Sequence, residues 1–145
     1  MALRVLLADD SPVVQRSIRD LLKSADVLSV ASAWSGVEAV RLATEMLPHV
    51  VILDYAMPGM NGIEAARLIR QTLPETPVIL LTASAVEYLI VAALNAGIRA
   101  YVLKADAGAD LARAIDAVRC GSTYVSPGAS RALYERYLPA SGLES

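Results

Sequence analysis

The sequence predicts a doubly wound α/β fold, a parallel sheet with helices on both faces. Three observations carry this expectation. Five short runs rich in Val, Ile and Leu alternate with longer segments of helical periodicity. The runs are apolar throughout rather than at every second residue, as strands buried on both faces require. Capping residues stand where helices of these lengths begin and end.

Taken in order, the first strand is Leu3–Ala8, "LRVLLA". Ser11 caps the helix that follows, Pro12 takes its first position, and Val14, Ile18, Leu21 and Leu22 share its apolar face. Val27–Ala33 is the second strand, and the stretch Ser35-Gly36-Val37-Glu38 opens the second helix as a capping box. Residues 50–53 form the third strand, with His49 in the loop before it, and Asn61-Gly62 starts the third helix. Residues 78–81 form the fourth strand, and Ser84-Ala85-Val86-Glu87 reads as a second capping box, opening the fourth helix. Gly97 ends that helix, Ala100–Leu103 is the fifth strand, and Gly121 ends a fifth helix.

Composition narrows the function. At 145 residues the chain makes one domain with a tail. More than half of it is apolar (55%) and 19% is charged, which describes a compact chain rather than a disordered one. No apolar run reaches the ~18 residues of a membrane span, and Met1-Ala2-Leu3-Arg4 leads straight into a strand without a signal-peptide layout, so a cytoplasmic protein without membrane contact is expected. A single cysteine, Cys120, excludes an internal disulfide and a cysteine metal cluster. The net charge is −2 with no Lys/Arg cluster, so this chain alone should not bind nucleic acid.

Sheets of this class carry their chemistry at the carboxyl ends of the strands. Strand one ends in Asp9-Asp10, strand three in Asp54, strand four in Thr82 and strand five in Lys104. Each alone has an ordinary reading as a solvated loop, a helix cap or a surface residue, and Tyr101 within strand five would ordinarily be core. Together they put three carboxylates, a hydroxyl and an ammonium on one rim. Adjacent carboxylates repel, so a bound cation is the natural reason for the pair, and the whole reads as a metal-and-phosphate site.

The stretches "ADD", "LDYAMPGMNG" (53–62), "LLTA" (80–83) and "AYVLK" (100–104), in this order and spacing, resemble the receiver domain of bacterial two-component response regulators. The D-x-x-M-P-x-M-x-G pattern is the specific part. The resemblance covers roughly residues 1 to 120 and implies a five-stranded parallel sheet of flavodoxin-like order 2-1-3-4-5. It implies that Asp54 accepts a phosphoryl group from a sensor histidine kinase. It further implies that Asp9, Asp10, Asp54 and the backbone carbonyl of Ala56 hold Mg²⁺, with Asp9 acting through water. Lys104 and Thr82 then bind the phosphoryl oxygens, and Tyr101 rotates inward behind Thr82. The resemblance also implies that Ala56 and Ser84 occupy the positions that tune loss of phosphate. Neither brings a group suited to positioning water, so a long-lived phosphorylated state is expected.

The chain departs from the common pattern where Lys104 is followed by Ala105-Asp106 rather than proline, so no cis peptide is inferred there. From Gly97 to Pro127 it resembles the NarL/LuxR-type branch, whose receivers precede a helix-turn-helix domain and which implies a DNA-binding parent protein and a homodimer on phosphorylation. The expected organisation is a receiver, residues 1–121, followed by a linker segment, residues 122–145. In that segment Ser126-Pro127 start a short helix, Leu133 and Tyr137 share one face, and a flexible tail follows. The alternatives are a stand-alone receiver acting by protein contact, an FMN-binding flavodoxin, which the acidic pair disfavours, and a Mg²⁺-dependent phosphatase with an Asp nucleophile. That phosphatase signature wants a second Asp where this chain has Ala56.

Overall fold

The computed structural model describes residues 3–25, 27–84 and 86–131. One sheet contains β1 (Leu3–Ala8), β2 (Val27–Ala33), β3 (Val50–Asp54), β4 (Val78–Thr82), β5 (Ala100–Leu103) and β6 (Tyr124–Val125). All pairings are parallel, and the order is β2-β1-β3-β4-β5-β6. The connections are α1 (Pro12–Lys23), α2 (Gly36–Met46), α3 (Gly62–Thr72), α4 (Glu87–Asn95) and α5 (Ala107–Arg119), with a 3₁₀ turn, Lys104–Asp106, between β5 and α5. A further helix begins at residue 127 and is described to residue 131; Leu133 and Tyr137 lie outside the described residues. Among the described residues, no helix is long and apolar enough to cross a membrane.

Alternation along the strands builds two separate cores. Leu6, Val51, Leu53, Leu80 and Tyr101 face one way, toward Ala39 of α2, Ile69 of α3 and Ile90 of α4. Val5, Leu7, Ile52, Ile79 and Val102 face the other way, toward Ile18 and Leu22 of α1 and Leu111 and Ile115 of α5. The doubly wound class follows from these two opposed faces.

The sheet exceeds the expected five strands by one. β6 pairs Tyr124 with Ala100 and Val125 with Tyr101. Without it β5 would be an open edge, whereas here the Tyr124 amide donates to the Arg99 carbonyl (3.0 Å) and the Ser126 amide to that of Tyr101 (2.9 Å). Two residues are too few to show a strand period, which is why the sequence reads this stretch as linker.

Helix starts agree with expectation at α1, where the Ser11 hydroxyl accepts from the Val14 amide, and at α3, where Asn61 and Glu64 form a reciprocal capping box. At α2 the box is skewed: Ser35 accepts from the Glu38 amide, but the Glu38 carboxylate reaches the Trp34 amide instead of that of Ser35. At α4 the expectation fails. The helix begins at Glu87 with no side-chain cap, because Ser84 has other commitments: its amide donates to the Thr82 hydroxyl (3.3 Å) and its carbonyl accepts from the Tyr101 hydroxyl (2.7 Å). Gly97 and Gly121 end their helices with positive φ. Leu47 does the same for α2 at φ 49°, the following Pro48 having closed the right-handed helical region to it.

One close approach positions the site. A Cβ on Gly62 would lie 2.3 Å from the Asp54 carbonyl oxygen and 2.9 Å from Leu80 Cδ1, so only glycine lets the start of α3 sit against the end of β3. Gly62→Ala is expected to lower the urea midpoint by an amount equivalent to about 1–3 kcal/mol. Gly108→Ala, in α5 with open space around it, should be neutral or raise stability by up to about 1 kcal/mol. Equal midpoints for the two variants would contradict this placement of Gly62.

Candidate functional site

Parallel register brings the ends of four strands to one edge. Ala8 stands beside Leu53, Asp54 beside Leu81, and Thr82 beside Leu103. Asp9, Asp54, Thr82 and Lys104 therefore converge on the carboxyl rim without any long loop. Asp9, Asp54 and Thr82 are buried, whereas Asp10 is exposed. Carboxylate oxygens of Asp9, Asp10 and Asp54 lie within 4.8 Å of one another. The Lys104 ammonium stands 3.0 Å from Asp9 Oδ2 and 3.2 Å from Asp54 Oδ1.

Asp9 is held rigidly. Its Oδ1 accepts from the Ser11 amide (2.9 Å), its own amide donates to the Ala33 carbonyl (3.1 Å), and its carbonyl accepts from Gln15 Nε2 (3.1 Å). The Gln15 amide also donates to the carbonyls of Leu7 and Ala33, tying the ends of β1 and β2 to α1. Sequence reasoning missed Gln15. Its spacing from Ile18 and Leu22 puts it on the buried stripe of α1, but nothing in the local sequence indicates the carbonyls it binds.

Electrostatics follow from this crowding. Burial, then the neighbouring Asp9 charge, holds the Asp54 carboxyl above its usual range, although Lys104 and the Ala56 amide pull the other way. Burial works against the Lys104 charge, but its bonds to Asp9 and Asp54 outweigh that and hold it firmly ammonium. Three carboxylates against one ammonium leave two negative charges at the rim. An all-oxygen donor set with excess negative charge fits a hard divalent cation such as Mg²⁺.

Behind the cluster, Tyr101 is buried with its ring inward and its hydroxyl on the Ser84 carbonyl. Burial pushes its hydroxyl up to about 12, against the hydrogen bond it shares with Thr82. The loop after β3 is shaped by Gly59 at φ 82°, and Met57 packs into the core. Ala56 and Ser84 sit exposed at the rim. His49 is no part of the site: its Nδ1 accepts from the Arg4 amide (2.9 Å).

Because the folded chain holds the Asp54 proton more tightly than the unfolded chain does, this group's stabilising contribution is present at low pH and is lost as pH rises through its folded value. Asp54→Asn abolishes that ionisation. In metal-free buffer the variant should gain stability relative to the unmodified chain as pH rises above the ordinary aspartate value of about 4, read as the difference in urea midpoints. A difference that stays flat or reverses contradicts the electrostatic assignment.

Comparison with known proteins agrees with this geometry. Residues 5–116 match the family described as response regulator receiver domain. The chain is 32% identical over 128 residues to the response regulator protein VraR of Staphylococcus aureus, covering 88% of this chain and 61% of VraR. It is 35% identical over 103 residues to the uncharacterized transcriptional regulatory protein YhcZ of Bacillus subtilis, covering 70% of this chain and 48% of YhcZ. The chain thus spans about half to three-fifths of the curated relatives it matches. A LuxR-family two-component response regulator from Aurantimonas sp. SI85-9A1 superposes with a TM-score of 0.90 at 32% identity, covering 95% of this chain and 99% of that one. With the family profile, the relatives and the strand-end cluster in agreement, the chain belongs to the receiver domains of two-component response regulators, in their LuxR/NarL branch.

Proposed function

We propose that this receiver is a phosphorylation-dependent switch in which Asp54 takes a phosphoryl group from a phosphohistidine of a sensor histidine kinase. The observation that supports it most is the cluster of three carboxylates on the carboxyl rim, two of which share the Lys104 ammonium. An Asp54 oxygen attacks the phosphorus in line, the phosphorus–nitrogen bond breaks, and its electron pair leaves with the imidazole. Asp9, Asp10, Asp54 and the Ala56 carbonyl would hold Mg²⁺, which when bound supplies positive charge to the phosphoryl oxygens. Lys104 moves its charge from Asp9 toward those oxygens, and the Thr82 hydroxyl donates to one of them.

The readout is a two-state change around Thr82 and Tyr101. The inward ring of Tyr101 and the Thr82–Ser84–Tyr101 hydrogen bonds are an arrangement that a phosphoryl group, by engaging Thr82, would select. Ala56 and Ser84, both at the rim, offer attacking water little help in positioning, which supports a slow loss of phosphate. Because YhcZ is described as a transcriptional regulatory protein and a similar solved structure as a DNA-binding response regulator, and this chain spans about half to three-fifths of its curated relatives, we place the receiver in a cytoplasmic, DNA-binding protein that dimerises on phosphorylation. DNA contact then belongs to a region outside this chain. A stand-alone receiver acting by protein contact would use the same chemistry.

Incubation with Mg²⁺ and acetyl phosphate should add about one phosphoryl group per chain by intact mass. Asp54→Asn should add none, and Asp10→Ala should lose Mg²⁺ affinity and with it most labelling. Labelling of Asp54→Asn equal to that of the unmodified chain would overturn the assignment.

A further inference from the structure

The segment after β6 is bound to the turn that carries Lys104. Ser126 is fully buried; its hydroxyl donates to Asp106 Oδ2 (2.8 Å) and accepts from the Leu103 amide (3.1 Å). The same Asp106 oxygen accepts from the Gly128 amide (3.1 Å), so Asp106 caps, from 22 residues away, the helix that begins at 127. Ala129 is buried in the core on the α4 side of the sheet. A Cβ on Gly128 would lie 2.5 Å from Leu103 Cδ1, so the fit is close. Further back, β6 pairing and the Tyr124 hydroxyl on Asp110 fix the start of the segment independently.

Both partners of the Ser126 hydroxyl, Leu103 and Asp106, flank Lys104, and Lys104–Asp106 is a single 3₁₀ turn. Lys104 is at present shared between Asp9 and Asp54. Lys104 and both latch bonds hang on one short turn of backbone, so a shift of that turn reaches the latch.

We propose that Ser126 and Asp106 form a latch coupling the phosphoacceptor site to the C-terminal segment, and that phosphoryl occupancy at Asp54 loosens it. This rests on the reading of Asp54 given above. Asp106 and Ser126 are positioning residues, acting through the Lys104 turn. The latch gives this receiver a defined exit for its signal: the helix at residue 127, bonded to the site in one state and released from it in the other. Coupling is reciprocal, so loosening the latch must favour phosphoryl occupancy to the same extent.

The test uses the full chain with Mg²⁺ and beryllofluoride as the phosphoryl probe, followed by amide hydrogen exchange resolved by residue. A bound-fluoride resonance reports occupancy at Asp54 separately from the latch. On occupancy, the Gly128 and Leu103 amides should exchange about five-fold faster, the effect of one lost hydrogen bond, while the Val5 amide in β1 is unchanged. Asp106→Ala should bind the probe tighter by a similar factor, and Asp106→Asn, which keeps an oxygen acceptor, should bind it as the unmodified chain does. No bound-fluoride resonance overturns the reading of Asp54 and the latch with it. A bound resonance with unaltered exchange at Gly128 and Leu103 overturns the latch alone.

Discussion

Two buried carboxylates, Asp9 and Asp54, share one ammonium, that of Lys104. Burying like charges together is costly, and a single counter-ion leaves the cost partly unmet; the raised proton affinity of Asp54 expresses the remainder. Folding alone would not favour such a site. It persists because the surrounding sheet overdetermines it, and it is poised to gain from any partner that brings positive charge to the rim.

The rest of the fold can be understood as holding that cluster in place. Strand register puts Asp54 and Thr82 at the ends of adjacent ladders. Gln15 binds the ends of β1 and β2 beneath Asp9, and Ser11 orients the Asp9 carboxylate while capping α1. Gly62 lets α3 start against the Asp54 carbonyl. The hydrogen bonds of Ser84 to Thr82 and Tyr101 displace the start of α4 to Glu87, so the helix is left without a side-chain cap at the place where a signalling change would be read. On the far side of Lys104, Asp106 and Ser126 carry the same rim to the end of the described chain.

What the sequence made legible was whatever has a period or a fixed local chemistry. Apolar runs without alternation specified the parallel strands, and residues that end strands specified Asp9, Asp10, Asp54, Thr82 and Lys104 as one group. Long-range hydrogen bonding was not legible. Gln15 looks like an ordinary helix residue until the β1 and β2 carbonyls are seen around it. Ser126 was readable as a helix start, but its hydroxyl serves Asp106 and Leu103, which no local pattern indicates. Ser84 satisfied a capping-box spacing and yet was recruited by Tyr101, a tertiary contact overriding a local preference. β6 was too short to announce itself and owes its existence to the edge of β5.

Lys104 neutralises only part of the carboxylate cluster, and the charge that remains suits a divalent cation. A calorimetric titration of Mg²⁺ into the unmodified chain and into Lys104→Met, near neutral pH, tests it most directly. Removing the ammonium raises the excess from two negative charges to three, so both proteins should bind one Mg²⁺ per chain, and Lys104→Met should bind it distinctly more tightly. Unchanged or weaker binding in that variant would contradict it.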